Sequence, residues 1–239
     1  MIRDDFKKWR HLTKLDPDRE HSFSLIEKVF QSGTDAIVVG GTQGITAEKT
    51  AKLLQMTRTV VGTALPVLIE ISHQEAVQPG ADGYLVPVVL NAGDVEWLVG
   101  AHQKALSSFS SFIEQFNLDL GKILLPEGYI ILNPACAAAQ KTAAKTELSI
   151  TDILSYSLLA QHLLKLPILY LEYSGSLGSL EVVKRVKKQA KDIRLFYGGG
   201  ITNPEVAYDF SRHADTIVVG NIVYRQPDIL KDIVEAVKA

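Results

Sequence analysis

The sequence contains a single cysteine, Cys136, with no surrounding group of cysteine and histidine residues. A lone cysteine cannot form a disulfide within the chain, and without such neighbours it does not indicate a metal site. Structural disulfides belong to oxidising compartments, so this composition fits a reducing cytoplasm. We therefore expect a cytoplasmic protein without covalent cross-links.

Long apolar runs are also missing. No segment reaches the roughly 18 apolar residues that a membrane-spanning helix requires. The first nine residues, MIRDDFKKW, carry charges where a secretory leader has its apolar stretch, so no leader is expected. These absences predict a soluble protein, and peripheral contact with a membrane surface stays open.

The chain also lacks an excess of charge of either sign. The 25 basic and 27 acidic residues give a formal net charge of −2, so a nucleic-acid partner is not expected. A hydrophobic share of 46% beside 22% charged residues is typical of a folded globular protein. The length of 239 residues fits one α/β barrel better than two domains, so we predict one barrel domain over residues 1–239.

Eight apolar segments with the character of strands alternate with helical patterns. They lie near residues 9–17, 35–42, 66–71, 83–90, 128–134, 167–178, 195–201 and 215–221. Such alternation indicates a parallel sheet, and eight units favour a closed (β/α)8 barrel. No GxGxxG motif follows the first segment, so a dinucleotide-binding fold loses its main support.

One crossover is too short for a helix. Only residues 72–82, with Pro79 and Gly80 among them, separate the third and fourth strands. We therefore predict a modified barrel in which a loop replaces the helix after strand 3, leaving an apolar groove open on that flank. The candidate groove residues are Val86, Val89, Leu90, Trp97 and Leu98. Ordinary core packing is the alternative for these five.

Two glycine-rich strand ends near the C-terminus predict a phosphate site. Gly198, Gly199 and Gly200 precede the helix start at residues 202–205, and Gly220-Asn221 ends the last strand. Glycines let backbone N–H groups approach an anion, and a helix N-terminus adds further donors. The phosphate site of a (β/α)8 barrel typically lies in the loops after strands 7 and 8. Glycines that merely close turns are the alternative.

Polar side chains stand at other strand ends. Lys14 and Asp16 share a face at the end of the first strand, where an exposed salt bridge is the plainer interpretation. Thr42 follows the second strand, as either a helix cap or a ligand of an ion. Glu172 shares a face with Tyr170 in an apolar strand, and a carboxylate there needs a partner or a function.

Five segments in this order resemble the geranylgeranylglyceryl phosphate synthase superfamily, most closely its bacterial branch, the heptaprenylglyceryl phosphate synthases. The segments are KLDP at 14–17, GGT at 40–42, YLEYSG at 170–175, YGGGI at 197–201 and VGN at 219–221. The resemblance covers nearly the whole chain. It implies a modified barrel that joins sn-glycerol 1-phosphate to a long polyprenyl diphosphate, heptaprenyl in the bacterial branch, through an ether bond, releasing diphosphate with help from Mg²⁺.

The resemblance also implies roles for individual residues. Asp16 and Thr42 would bind Mg²⁺, although serine is common in the family where Thr42 stands. Glu172, beside Tyr170, would act on the glycerol hydroxyl, so these two are the catalytic candidates. The implied substrate-binding residues are Lys14, Tyr170, Leu171, Glu172, Tyr173, Ser174, Gly175, Gly199, Gly200, Gly220 and Asn221.

Two other functions remain open at this stage. A sugar-phosphate isomerase or aldolase would use the same phosphate site with a compact pocket and no lipid groove. A non-catalytic barrel that binds a phosphorylated metabolite would not need Asp16 or Glu172. An apolar flank would suit a homodimer, and the length of the prenyl chain depends on packing that the sequence does not give.

Overall fold

The strands are β1 (His11–Leu15), β2 (Ala36–Val39), β3 (Val67–Glu70), β4 (Gly83–Val89), β5 (Leu124–Ile131), β6 (Ile168–Glu172), β7 (Arg194–Gly198) and β8 (Thr216–Val219). Each pairs in parallel with its sequence neighbours, and β8 pairs with β1 to close the ring. The structure is a computed structural model that describes residues 2–239, apart from the side chains of residues 3, 111 and 114. The predicted eight-stranded barrel is confirmed.

Helices lie before β1, between the strands and after β8. They are α1 (Ile2–Asp5), α2 (Phe23–Gln31), α3 (Ala47–Val61), α4 (Gly100–Phe116), α5 (Leu120–Ile123), α6 (Ala137–Thr142), α7 (Ile150–Leu158), α8 (Leu180–Gln189), α9 (Pro204–Ser211), α10 (Ile222–Arg225) and α11 (Leu230–Lys238). Only a 3₁₀ turn, Gln74–Ala76, lies between β3 and β4, as the short crossover predicts. Within residues 2–239, no helix has the length and apolar character to span a bilayer.

Two element boundaries differ from the predictions. Strand β5 begins at Leu124 instead of Gly128, because its edges pair with β4 and β6 despite Pro126 and Gly128. Residues 91–94 also have the pattern of a long helix's first turn, but the structure has a 3₁₀ turn there, Val95–Trp97, and α4 begins at Gly100. Both differences lie where proline or glycine obscures the periodic pattern.

The two faces of the barrel wall have different contents, because successive strand residues point to opposite sides. Outward side chains such as Ile37, Ile69 and Leu171 join the core between strands and helices. The lower interior is filled by Leu12, Leu68, Leu125, Ile168 and Phe196. Toward the carboxyl ends of the strands the interior becomes polar, and that polar end holds the candidate site.

The N-terminal segment packs with the barrel interior. Ile2, Phe6 and Trp9 are 7%, 4% and 4% exposed and pack in the same cluster as the interior residues. The carbonyl oxygen of Trp9 accepts hydrogen bonds from Arg194 Nη2 at 2.6 Å and from Thr216 Oγ1 at 2.7 Å. Despite its charged sequence, this segment is part of the packed structure.

His11, at the start of β1, is fully buried and uncharged. Its Nδ1 lies 2.9 Å from Thr34 Oγ1, whereas Nε2 has no partner among the described residues. Burial lowers the pKa of His11 to about 3, and the Asp35 carboxylate offsets only part of that effect. The fold therefore depends on a neutral imidazole at this position.

We predict that His11 makes the protein sensitive to acid. Below pH 6.5 the unfolded chain binds a proton at His11 that the folded chain does not bind until about pH 3. The free energy of unfolding should therefore fall by about 1.4 kcal/mol per pH unit between these values. Urea unfolding of His11→Gln should show a shallower loss of stability with acid than wild type. Parallel curves would contradict this, and His73→Gln, at an exposed histidine, is the control.

Candidate active site

One cavity of about 690 Å³ opens at the carboxyl ends of the strands. Active sites of (β/α)8 barrels lie at this end. Every strand or the loop after it contributes to the lining: Lys14, Gly41, Glu70, Val89, Ile131, Glu172, Gly200 and Gly220. The walls differ in chemistry, with glycine-rich loops after β7 and β8, charged groups on the floor and apolar residues on the side of β4 and β5.

The glycine-rich wall has a backbone that other residues do not readily adopt. Gly199 and Gly200 have φ values of 144° and 62°, in the region that favours glycine. A Cβ on Gly200 would lie 2.4 Å from the backbone of Leu177, so the loop passes close to the chain after β6. Gly220 and Asn221, which follow β8, line the same wall. The two predicted anion loops are thus adjacent in space.

A charged pair forms the floor of the cavity. Lys14 Nζ lies 2.5 Å from Glu70 Oε2, and the Tyr129 hydroxyl donates to Glu70 Oε1. Burial by itself lowers the pKa of Lys14, but the carboxylates of Glu70 and Glu172 raise it above its usual value. Lys14 therefore favours its charged form on the floor of the cavity. The ion-pair partner of Lys14 is the buried Glu70. It is not Asp16, with which an exposed salt bridge was the plainer interpretation of the sequence.

Glu172 lies beside this pair at the end of β6. It is 3% exposed, and its Oε1 accepts a hydrogen bond from the Ser174 N–H at 2.5 Å. Burial raises the pKa of Glu172, while Lys14 lowers it in part. Tyr170, two residues earlier, stacks on Tyr129 with ring centroids 4.3 Å apart and an angle of 10°. The stacked rings pack β5 against β6, the strand that ends at Glu172.

Asp16 and Thr42 both line the cavity. A Cβ on Gly41 would lie 2.2 Å from Asp16 Oδ1, so the carboxylate packs directly on the loop that carries Thr42. Burial raises the pKa of Asp16. The hydroxyl of Thr46, not that of Thr42, caps α3, which leaves the Thr42 side chain outside the helix cap.

These oxygens fit Mg²⁺ better than a metal with a complete protein ligand set. Within the described chain, no group of three or more histidine, cysteine, aspartate or glutamate residues is arranged to hold a metal. Mg²⁺ typically binds one or two carboxylates and takes its other ligands from water and substrate phosphates. One carboxylate, Asp16, and one hydroxyl, Thr42, suit such a partial set.

The apolar wall lies on the flank where a helix is replaced by a loop. Pro87, Val89, Trp97 and Ala101 line it, and His102 Nε2 contacts the carbonyl oxygen of Pro87 at 2.6 Å. This wall and the charged floor line the same cavity. The cavity can therefore hold a molecule with one anionic and one hydrocarbon end.

The predicted groove residues divide between two sides of β4. Val89 and Trp97 lie in the wall, as expected. Val86 and Leu90 instead pack in the outer core, and Leu98 borders a shallow surface groove. Successive residues of a strand point to opposite sides of the sheet. Val86 and Leu90 therefore point outward, because Val89 points into the barrel.

The cavity also brings together most of the predicted site residues. Those that line it are Lys14, Asp16, Thr42, Tyr170, Glu172, Ser174, Gly175, Gly199, Gly200, Gly220 and Asn221. Leu171 and Tyr173 are the exceptions. Leu171 is buried in the outer core, and the Tyr173 ring packs near Tyr197 with centroids 5.9 Å apart. Their side chains do not line the cavity.

Other cavity residues were not predicted. Glu70 carries the same signal that identified Glu172, a carboxylate in an apolar strand, so the sequence offered a way to find it. Arg19 donates to Asn221 Oδ1 at 3.2 Å, and Lys141 reaches the loops after β2 and β3. Arg19 lies in the loop after β1 and Lys141 on the short helix α6, and the placement of both depends on the folded chain.

Glu127 lies one inward position below Tyr129 on β5. It is 0% exposed, and neither carboxylate oxygen has a hydrogen-bond partner among the described residues. Burial raises its pKa well above the usual value, with a further increase from Glu70, whereas Lys14 lowers it. The folded protein therefore favours the protonated form of Glu127.

A closed parallel barrel with adjacent anion loops after β7 and β8 has the architecture of the phosphate-binding (β/α)8 barrels. The family model described as the PcrB family matches residues 4–238. The chain belongs to the PcrB family, as the resemblance of its five segments had indicated.

Named relatives agree with this membership. The chain is 43% identical over 235 residues to the heptaprenylglyceryl phosphate synthase of Bacillus pumilus, across 98% of this chain and 97% of the relative. It is 45% identical to that of Bacillus mycoides with the same coverage. A solved (S)-3-O-geranylgeranylglyceryl phosphate synthase from Thermoplasma acidophilum, in complex with its substrate sn-glycerol-1-phosphate, is similar at a TM-score of 0.85 and 28% identity, covering 99% of this chain and 96% of that one.

We predict that replacing the Glu127 carboxyl by an amide stabilises the protein near neutral pH. Above pH 4.5 the unfolded chain releases a proton that the folded chain retains at Glu127, so stability falls as pH rises toward the folded-state pKa. Glu127→Gln should unfold at a higher temperature than wild type near neutral pH and lose this advantage below pH 4.5. Glu181→Gln, at an exposed glutamate, is the control. A variant less stable than wild type near neutral pH would contradict this.

Proposed function

We propose that this protein is a prenyltransferase. It joins sn-glycerol 1-phosphate to a long polyprenyl diphosphate, with heptaprenyl diphosphate the expected donor, and releases diphosphate. The observation that carries the proposal is the single cavity that combines an anion site, a buried carboxylate beside a lysine, and an apolar wall. These three parts match the phosphate, the hydroxyl and the hydrocarbon of the two substrates. The names of the bacterial relatives support the same assignment.

In this proposal the glycine-rich wall binds the phosphate of glycerol phosphate. Backbone N–H groups of Gly200, Gly220 and Asn221 donate to it, with Gly199 alongside. The glycerol then extends over the floor of the cavity. There Lys14 supplies positive charge, and the Glu172 carboxylate contacts the glycerol hydroxyl. Anchoring the phosphate fixes the position of the reacting oxygen, which is a large source of rate enhancement.

The reaction exchanges one carbon–oxygen bond for another. A lone pair of the glycerol oxygen forms a bond to the allylic carbon of the donor. The bond between that carbon and the diphosphate oxygen breaks, and its electron pair leaves with diphosphate. The hydroxyl proton passes to Glu172, whose burial raises its pKa and so makes its carboxylate a stronger base. Tyr170, on the same strand face, lines the same cavity, and the Ser174 N–H donates to the Glu172 carboxylate.

Asp16 and Thr42 are the residues that would hold Mg²⁺. When bound, the ion neutralises charge that develops on the diphosphate. The chain's own contribution is to keep the Asp16 carboxylate in place, and two backbone contacts do so. The Asp16 N–H donates to the Tyr224 hydroxyl at 2.7 Å, and Oδ1 accepts from the Asp18 N–H at 3.0 Å.

The hydrocarbon of the donor would lie along Val89 and Trp97. Beyond this wall, Val95 and Val99 are 69% and 63% exposed on the same flank. A homodimer partner or a membrane surface would cover them, and both stay predictions, as does a cytoplasmic location. Light scattering and flotation with lipid vesicles would test the two contacts separately.

The activity itself is tested with purified protein, Mg²⁺, labelled glycerol 1-phosphate and prenyl diphosphates of graded length. We expect an ether-linked product, with the longest accepted donor reporting the depth of the apolar wall. Binding of glycerol phosphate without product from any donor would contradict the proposed function and favour a non-catalytic binding protein.

Glu172→Gln should lower turnover by about 100-fold or more, because the amide cannot accept the hydroxyl proton. Its affinity for glycerol 1-phosphate should stay close to that of wild type, since in this proposal backbone N–H groups after β7 and β8 bind the phosphate and the Glu172 side chain does not. Calorimetric titration and a product assay measure the two effects. Glu181→Gln, on the outer helix α8, should behave as wild type. Full activity of Glu172→Gln would remove its role as a base.

Asp16→Asn should lose the dependence of activity on Mg²⁺. The amide is a much weaker ligand for a hard cation than the carboxylate. We expect low activity that no longer rises with added Mg²⁺, with glycerol phosphate binding retained. Asp209→Asn, at an exposed aspartate on α9, serves as the control. A wild-type response of Asp16→Asn to Mg²⁺ would exclude Asp16 as a ligand.

A further inference from the structure

Lys141, on α6, reaches across the mouth of the cavity. Its Nζ donates to the carbonyl oxygen of Thr42 at 2.9 Å and to that of Ser72 at 3.2 Å, in the loops after β2 and β3. The same ammonium lies 5.3 Å from the centre of the Trp97 ring. One side chain thus contacts both the candidate metal-binding loop and the apolar wall.

The positive charge of Lys141 is not matched by an acid. Among the described residues, the ion pairs of Lys14, Lys49 and Lys187 each place a carboxylate on the ammonium, whereas the contacts of Lys141 are two neutral carbonyls and a ring. Lys141 is exposed at the mouth of the cavity, and the two carbonyl oxygens hold its ammonium there. A cation held by neutral acceptors gains a stronger, charge-assisted contact when it exchanges them for an anion.

The position of Lys141 matches a boundary in the donor molecule. A prenyl diphosphate changes from a highly charged head to a hydrocarbon chain within a few bonds. In the cavity the corresponding change runs from Asp16 and Thr42 to Trp97, and Lys141 stands between them. On the opposite side, the glycine-rich wall after β7 and β8 is left for the other substrate's phosphate.

We propose that Lys141 binds the diphosphate group of the prenyl donor. The inference rests on the proposed function of the cavity and adds a residue to it. As the allylic carbon–oxygen bond breaks, negative charge grows on the departing diphosphate, and a fixed cation beside it stabilises that charge. Lys141 would exchange its carbonyl contacts for the diphosphate oxygens when the donor enters.

Inorganic diphosphate with Mg²⁺ is the probe, because it isolates the anion from the hydrocarbon. Calorimetric titration of Lys141→Met should show an affinity about 10- to 100-fold weaker than wild type, as expected for losing a charge-assisted contact. Glycerol 1-phosphate affinity should change by less than about twofold. Lys141→Arg should recover most of the diphosphate affinity. Lys145→Met removes the same charge from an exposed position four residues away and should match wild type.

A purely structural role for Lys141 gives a different result. If it only ties the loops after β2 and β3 together, Lys141→Met lowers the melting temperature and weakens both anions alike, which would overturn the proposal. Unchanged diphosphate affinity in a folded Lys141→Met would also overturn it. In the product assay, the KM for prenyl diphosphate should rise in parallel with the diphosphate dissociation constant.

The two proposals fail in distinguishable ways. Wild-type protein that makes no ether lipid would contradict the prenyltransferase function. The calorimetric comparison would still decide whether Lys141 binds diphosphate, because it requires no turnover.

Discussion

One lysine counterbalances three carboxylates inside the closed barrel. Glu70, Glu127 and Glu172 are 5%, 0% and 3% exposed, and the charge of Lys14 acts on all of them. A buried charge without compensation is costly, so this interior cannot hold three ionised acids beside one ammonium. Glu70 takes the direct ion pair and the hydroxyl of Tyr129, while Glu127 favours its protonated form. Burial raises the pKa of Glu172, and the charge of Lys14 offsets only part of that effect.

This balance explains why the proposed anion-binding features lie around the cavity edge. A floor with more acidic than basic groups is a poor place for a phosphate, because further negative charge would be repelled there. Backbone N–H groups after β7 and β8, Arg19 near Asn221, and Lys141 at the opposite edge all lie away from Glu127. Two phosphorylated substrates held at opposite edges would meet over the floor, where Glu172 can reach the hydroxyl between them.

Local chemistry was readable from the sequence, and long-range geometry was not. The glycine loops and the Lys14–Asp16 strand end were predicted because each depends on a few adjacent residues. Val89 and Leu90 are equally apolar, and only the pairing of β4 in the barrel decides which one faces the cavity. Lys141 contacts Thr42 and Ser72, which lie 99 and 69 positions earlier in the chain. No local sequence pattern contains contacts over such distances.

The loop that replaces a helix after β3 creates the apolar wall without opening the core. Val77 in this loop is 3% exposed, and the Tyr84 hydroxyl donates to the carbonyl of Gln78 at 2.7 Å, which holds the loop against β4. Tyr84 also packs edge-on against Phe109 of α4, with centroids 4.7 Å apart. The loop between β3 and β4 therefore covers the outer core in place of a helix. Trp97 lines the cavity on this flank, where the hydrocarbon of the proposed donor would leave the barrel.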